Sequence, residues 1–323
     1  MRVAVIGAGA MGSLASLLLH TSGVEVVVYE QREERVIWLR ENGTRVRGAV
    51  NGEVLPQIGL PGEVTAPYDV IVLAVGAGEG GEALRLLSPC VHRDTVYLSL
   101  QEGSAVSELA GMVGDERAYG AMAWVSAVET PGGEVEVEEF RSLVLGGFPP
   151  GGEARIAGLA EALRAASPGG FQITSDLKRE VWKRLTAVAA VSGLCAVSGS
   201  VPEEARRSEE IDRLCGEASR ECNRVAAAIG VKVAVSSSPW EEAVWSRIKP
   251  PLLRDVESAK RTEVAYLSGS IVAQARLTGV RVPVHSAISS LVRELESGMR
   301  RPGEASVKEL VRRITEEKGM SLL

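Results

Sequence analysis

Apolar and polar positions along the chain follow two regimes that meet near Phe171. Residues 1–6 (MRVAVI) form a β-branched run without polar alternation, the pattern of a parallel strand covered on both faces. A glycine turn follows, then an apolar helix from Ser13 to His20, a stop at Gly23 and a second strand from Val24 to Tyr29. The alternation continues with a helix of mixed charge from Glu33 to Glu41 and short strands around Val46 and Val54. A buried strand spans Asp69 to Val75, a helix Ala83 to Leu87 and a strand Thr95 to Leu100. Strand and helix alternating in this way predict an α/β domain of the Rossmann type, a doubly wound parallel sheet. Short antiparallel pieces are expected over Ala118 to Val128 and Ser142 to Leu145.

Beyond Phe171 the β-branched runs stop and helical patterns continue to the C-terminus. The chain is therefore expected to divide into a Rossmann domain over 1–172 and an all-helical C-terminal domain over 173–323. Thr174-Ser175-Asp176 can cap a helix through Trp182, and Pro250-Pro251 can open one that runs past Glu263 to Gly279. Two domains also suit a chain of 323 residues with 45% apolar content.

The net charge of -6 comes from 36 basic and 42 acidic residues spread throughout, so no basic stripe exists to hold a nucleic acid. The N-terminus lacks the apolar h-region of a signal peptide, and Leu185 to Val201 is shorter than the ~20 residues of a bilayer span. A cytoplasmic protein without membrane partners is expected. Cys90, Cys195, Cys215 and Cys222 show no zinc-ligand spacing; Cys215 and Cys222, seven apart, read as two buried small hydrophobes on one helix face.

The candidate chemistry starts at Gly7-Ala8-Gly9-Ala10-Met11-Gly12. Between a strand and a helix, Gly7 permits the tight turn, Gly9 admits the pyrophosphate and Gly12 lets the helix pack on the sheet. The helix N-terminus at Ala10 and Met11 then offers free N–H groups to the phosphates. Glu30 closes the second strand, eighteen positions after Gly12, where a carboxylate accepts hydrogen bonds from the adenosine ribose. Glu30 would repel the 2′-phosphate of NADP, which favours NAD. Arg32 and Arg35 argue the other way, because either can clamp such a phosphate; both read equally as solvated charges beside Glu33 and Glu34.

GAGAMG, VIWLRENGTRV over 36–46, Gln101-Glu102-Gly103, Glu180-Val-Trp-Lys-Arg-Leu185 and Thr262-Glu263-Val264 come in the order seen in ketopantoate reductases, which the chain resembles over nearly its whole length. The resemblance implies a Rossmann domain followed by a helical domain, reduction of 2-dehydropantoate with NADPH in the cleft between them, and a role in pantothenate biosynthesis. A homodimer through the helical domain is also expected. Several positions depart from the family. Val75-Gly76-Ala77 stands where a Lys is usual, Glu102 replaces the Asn near the nicotinamide, and Arg184 replaces the catalytic Lys, with Lys183 one place early. Val188 and Ser192 replace two Asn, and Pro251 replaces a substrate-binding Ser. Glu263, with Asp255 eight residues earlier, keeps the family's form. Gly76 and Glu102 are then expected at the nicotinamide end of the cofactor site, and Arg184, Glu263 and Lys183 as the catalytic candidates.

Positions 184, 188 and 192 share one helix face, whereas Lys183 points about 100° away with Ala187 and Val191, as a surface or packing residue unless the helix is shifted. Arginine can stabilise an oxyanion or hold a carboxylate by two parallel hydrogen bonds, yet its pKa above about 12 makes it a poor acid. On an uninterrupted helix Glu263 shares a face with Val256 and Leu267; it either acts at the site or pairs with Lys260. Of the histidines, His20 falls in the first helix, His92 in a loop after Pro89 and His285 at a helix start, and none has a recognisable partner. Two readings follow. One is an NAD(P)H-dependent reductase of a small-molecule 2-oxo acid or related carbonyl; the other is a nucleotide-binding relative that serves as a sensor or structural partner.

Overall fold

The computed structural model describes residues 1–63, 67–148, 152–234, 238–243 and 247–319. The chain forms two compact units, Met1–Glu180 and Val181–Leu323. The division lies beyond residue 172 because a strand at Gly170–Thr174 still pairs with Ser142–Gly146 of the first unit.

The first unit holds ten strands: β1 Arg2–Ile6, β2 Glu25–Tyr29, β3 Thr44–Gly48, β4 Gly52–Val54, β5 Gln57–Gly59, β6 Tyr68–Leu73, β7 Val91–Ser99, β8 Ala118–Glu129, β9 Val135–Gly147 and β10 Gly170–Thr174. They make one sheet in the order β4-β3-β9-β8-β7-β6-β1-β2-β5, with β10 beside β9. The run from β5 to β8 is parallel throughout, as the β-branched runs predict. On β1, Val3 and Val5 enter one core and Ala4 and Ile6 the other, so both faces are covered. The helices are α1 Ala10–Thr21, α2 Glu33–Asn42, α3 Gly80–Leu87, α4 Ala105–Val113 and α5 Ala157–Ala166. Two expectations change here. β8 and β9 are a long antiparallel hairpin of 12 and 13 residues, not short pieces, and His92 lies on β7, not in a loop.

Helix α6, Leu177–Ser198, begins at the end of the first unit, where Asp176 Oδ1 accepts the Arg179 N–H at 3.0 Å as its cap. By length and composition α6 is apolar enough to cross a membrane, but 89% of its most apolar window is buried inside the protein. The second unit continues with α7 Pro202–Ala205, α8 Glu209–Ala228, α9 Pro239–Glu242, α10 Pro251–Glu257, α11 Ser268–Thr278, α12 Pro283–Glu296 and α13 Glu304–Gly319. Cys195, Cys215 and Cys222 are fully buried thiols in its core, and burial pushes Cys222 up to about 12.

The expected helix from Pro251 through Glu263 does not exist. α10 ends at Glu257, and residue 259 adopts the left-handed conformation at φ 51°. Lys260 N–H donates to Asp255 O at 2.8 Å and Ala259 N–H to Val256 O at 3.1 Å, the two reverse bonds of a Schellman stop. The usual sequence signal for that stop is glycine, and alanine stands in its place. Glu263 therefore lies in the α10–α11 connection, off any common helix face with Val256 and Leu267.

A buried polar cluster ties α8, α11 and α12 together. Glu221 of α8 accepts the Val284 and His285 N–H groups at 2.9 and 3.0 Å, capping α12. His285, fully buried, bonds Ala218 O at 2.9 Å through Nε2 and Ser268 Oγ at 3.2 Å through Nδ1. His285 is thus a structural residue, with the partners its sequence neighbourhood did not reveal.

Two outcomes are expected from these features. Ala259→Gly removes a left-handed Cβ and should raise stability by about 0.5–1 kcal/mol in denaturant titrations; a loss instead would mean that the alanine methyl packs usefully. Burial depresses the His285 pKa to about 4, so its contribution is whole above its unfolded value near 6.5 and is lost as pH falls toward 4. That loss should approach ~3 kcal/mol. Melting curves from pH 7 to 4.5 should fall less steeply for His285→Gln than for the unaltered protein, and equal slopes would exclude this assignment.

Candidate active site

The site in the first unit grows from the C-terminal end of β1. Strand pairing continues to its edge, with Gly7 N–H on Tyr29 O at 2.7 Å and Ala74 N–H on Ile6 O at 2.9 Å. There β1 lies between β2 and β6, at the reversal of strand order where open α/β sheets bind ligands. Gly7 takes φ 96°, and a Cβ on it would stand 2.9 Å from Ala74 O. A Cβ on Gly12 would lie 1.8 Å from Gly7 O, so α1 packs against the turn at glycine distance. Gly9, the N-cap of α1, has no atom within 4 Å of an added Cβ. The first intrahelical bond is Ser13 N–H to Gly9 O, which leaves the N–H groups of Ala10, Met11 and Gly12 directed out of the helix end. Open space facing free donors fits a dinucleotide pyrophosphate.

The turn is held from both sides. Ala8 N–H donates to Glu30 Oε2 at 3.0 Å, while Ala8 O accepts from Ser13 Oγ at 3.1 Å and from Arg35 Nε at 3.2 Å. Burial would raise the Glu30 pKa, but hydrogen bonds from the Arg32 side chain and N–H and from Ala8 outweigh it and hold the carboxyl below its usual range. Glu30 is therefore an ionised, buried carboxylate at the end of β2. The two arginines separate. Arg32 is 52% exposed and forms a salt bridge with Glu30 at 3.0 Å. Arg35 is 6% exposed, donates to Gly133 O at 2.6 Å and lies over the Trp38 ring at 4.8 Å. The reading of Arg35 as a solvated surface charge is thus corrected: it is a buried strut.

The ends of β6 and β7 carry the other half of this edge. Gln101 Nε2 donates to Gly76 O at 2.8 Å and to Val75 O at 3.3 Å, stapling the loop after β6 to the loop after β7. Glu79 accepts the Gly76 N–H at 3.0 Å. Gly76 and Glu102 are half-buried on these loops. Sequence reasoning placed Gly76 and Glu102 here but gave no role to Gln101, nor to Glu129 and Gly133, which the β8–β9 hairpin brings to Arg32 and Arg35 from almost a hundred positions away. No local motif marks such a residue.

In the second unit, Arg184 is 4% exposed on α6, in line with Val188 and Ser192, which are equally buried, while Lys183 is exposed. Glu263 is half-buried between buried Thr262 and Val264. Its connection is anchored by Glu296, which accepts from Thr262 N–H at 2.6 Å and from the Thr262 hydroxyl. Asp255, half a turn before the helix stop, has its pKa raised by burial.

Two family models match the chain: "Ketopantoate reductase PanE/ApbA" over residues 3–150 and "Ketopantoate reductase PanE/ApbA C terminal" over 176–296. A 2-dehydropantoate 2-reductase of Halobacterium salinarum is 28% identical, the alignment covering 91% of this chain and 98% of that protein. One from Archaeoglobus fulgidus is 26% identical over 92% and 99%. Among solved structures, D-mandelate dehydrogenase with NADH and anilino(oxo)acetate shares the fold at a TM-score of 0.83, with 24% identity and coverage of 93% and 99%. With a sheet, a glycine turn and both halves matched in order, the chain belongs to the ketopantoate reductase family and is an NAD(P)-dependent oxidoreductase.

Proposed function

We propose that the protein reduces a small 2-oxo acid or related carbonyl compound with NADH or NADPH, the charges at Glu30 favouring NADH. The observation that carries this reading is the clamped glycine turn, open at Gly9 and flanked by the ionised Glu30. Gly7, Gly9, Ala10, Met11 and Gly12 hold the pyrophosphate, Glu30 holds the adenosine ribose with Arg32 beside it, and Gly76 and Glu102 line the nicotinamide end. A bound reduced nicotinamide supplies the hydride.

The remaining tasks fall to the chain's own side chains. Negative charge develops on the carbonyl oxygen, and a buried guanidinium at Arg184 stabilises it or holds the substrate carboxylate through two parallel hydrogen bonds. Because arginine keeps its proton near neutrality, the proton for the product alcohol comes from solvent or a second donor. Lys183 is the neighbouring cation. Glu263, held by the Thr262–Glu296 anchor, orients a substrate hydroxyl. The relatives' names point to 2-dehydropantoate as the first substrate to try, and with that substrate the reading sets the protein in pantothenate synthesis in the cytoplasm. The substitutions at 102, 184, 188, 192 and 251 favour a rebuilt pocket.

Three variants test the reading. Gly9→Val fills the space at the turn and should weaken NADH and NADPH binding at least ~100-fold in fluorescence titrations while the melting temperature is kept; unchanged binding would remove the dinucleotide from this turn. Arg184→Ala should lower kcat/KM by roughly 10²–10³ on whichever 2-oxo acid of a panel oxidises NADH, with Arg184→Lys retaining or improving turnover. If the cofactor binds and no panel member turns over, the substrate class is wrong.

A further inference from the structure

The carboxylate of Glu30 has about four acceptor positions, and protein donors fill four. Oε1 accepts from the Arg32 N–H at 3.0 Å and from Arg32 Nε at 3.1 Å; Oε2 accepts from Ala8 N–H at 3.0 Å and from Arg32 Nη2 at 3.0 Å. Two of these donors are backbone groups that cannot leave without undoing the glycine turn or the start of α2. The two guanidinium bonds can be released by rotation of one long, half-exposed side chain. A ribose that bonds to Glu30 therefore displaces the Arg32 guanidinium, and where that group goes decides what the site prefers.

The structure provides a second seat. Arg32 Nη2 already lies 3.3 Å from Glu129 Oε2, at the end of β8. Glu129 is fixed by pairing with Val135 across the hairpin, and Thr130 N–H closes the tip on Glu134 O at 2.8 Å. Arg35 cannot compete for a ligand, because Gly133 O, Ala8 O and the Trp38 ring hold it in place and Glu129 Oε1 stands 3.5 Å from its Nε. Glu30, Glu129, Arg32 and Arg35 thus sum to zero charge. A 2′-phosphate would add roughly −1.5 to −2 beside two carboxylates, with one arginine immobile and the other claimed on both sides.

We propose that Glu129 determines cofactor choice: it receives the Arg32 guanidinium and so keeps it from a 2′-phosphate, which makes the site selective for NAD(H). This rests on the reading that a dinucleotide binds at the glycine turn with its adenosine ribose at Glu30. Without Glu129, Arg32 has no second carboxylate and becomes a phosphate clamp.

The test measures dissociation constants for NADH and NADPH on the unaltered protein, on Glu129→Gln, on Glu129→Asp and on the double variant Arg32→Ala/Glu129→Gln. The unaltered protein should favour NADH by at least ~10-fold, and Glu129→Gln should shift the ratio toward NADPH by about tenfold, the scale of one charge-assisted contact. Glu129→Asp should hold the original ratio better, and the added Arg32→Ala should abolish the shift. A ratio unmoved in Glu129→Gln, or a shift that survives loss of Arg32, overturns the assignment while leaving the dinucleotide reading intact. Binding of neither cofactor by the unaltered protein overturns both. A reading that needs no variant is the melting temperature with adenosine 5′-monophosphate and adenosine 2′,5′-bisphosphate. The monophosphate should stabilise more, and the reverse order sinks the proposal.

Discussion

The approach of α1 to the glycine turn is the constraint on which the first unit depends. With Gly7 O 1.8 Å from where a Gly12 Cβ would sit, not even a methyl group fits between helix and turn. That closeness aims the three free N–H groups of the helix N-terminus out over the C-terminal edge of β1. It also sets the Ala8 peptide so that its N–H meets Glu30 and its carbonyl meets Ser13 and Arg35. The glycine turn and the Glu30 carboxylate are consequently one rigid piece.

The step from β1 through α1 to β2 was legible because parallel strands covered on both faces write uninterrupted β-branched runs, and because the glycines at 7, 9 and 12 have a steric reason at each place. The long β8–β9 hairpin was half legible. Strand-like pieces were visible over 118–128 and 142–145, but mixed polarity over 134–141 hid the continuity of β9. The break after α10 was not legible at all. A helix stop is read from glycine, and here the reversed bonds of Asp255 and Val256 impose the left-handed conformation on an alanine. Glu129 was missed for a different reason: its meaning arises only when strand pairing sets it beside residues of α2.

Buried polar groups do different work in the two units. Around the glycine turn they fix a backbone shape and balance charge. In the helical unit, Glu221 and His285 join three helices inside a largely apolar core, where an unpaired donor or acceptor costs about 1–3 kcal/mol. The fully satisfied His285 ring specifies how α8, α11 and α12 align, a selectivity that small side chains such as those lining α6 cannot provide.

The early end of α10 has a consequence for Glu263 in terms of reach. Had the helix continued, residue 263 would lie six positions beyond Glu257, about 9 Å farther along the same axis, and its direction would follow every adjustment of that helix. Instead the chain turns back at Ala259, and Glu296 of α12 takes hold of Thr262. The carboxylate is thereby referenced to a different helix from the one that precedes it in sequence. Insertions or deletions between 258 and 261 can then be absorbed without re-aiming Glu263, whereas a change at the C-terminal end of α12 cannot.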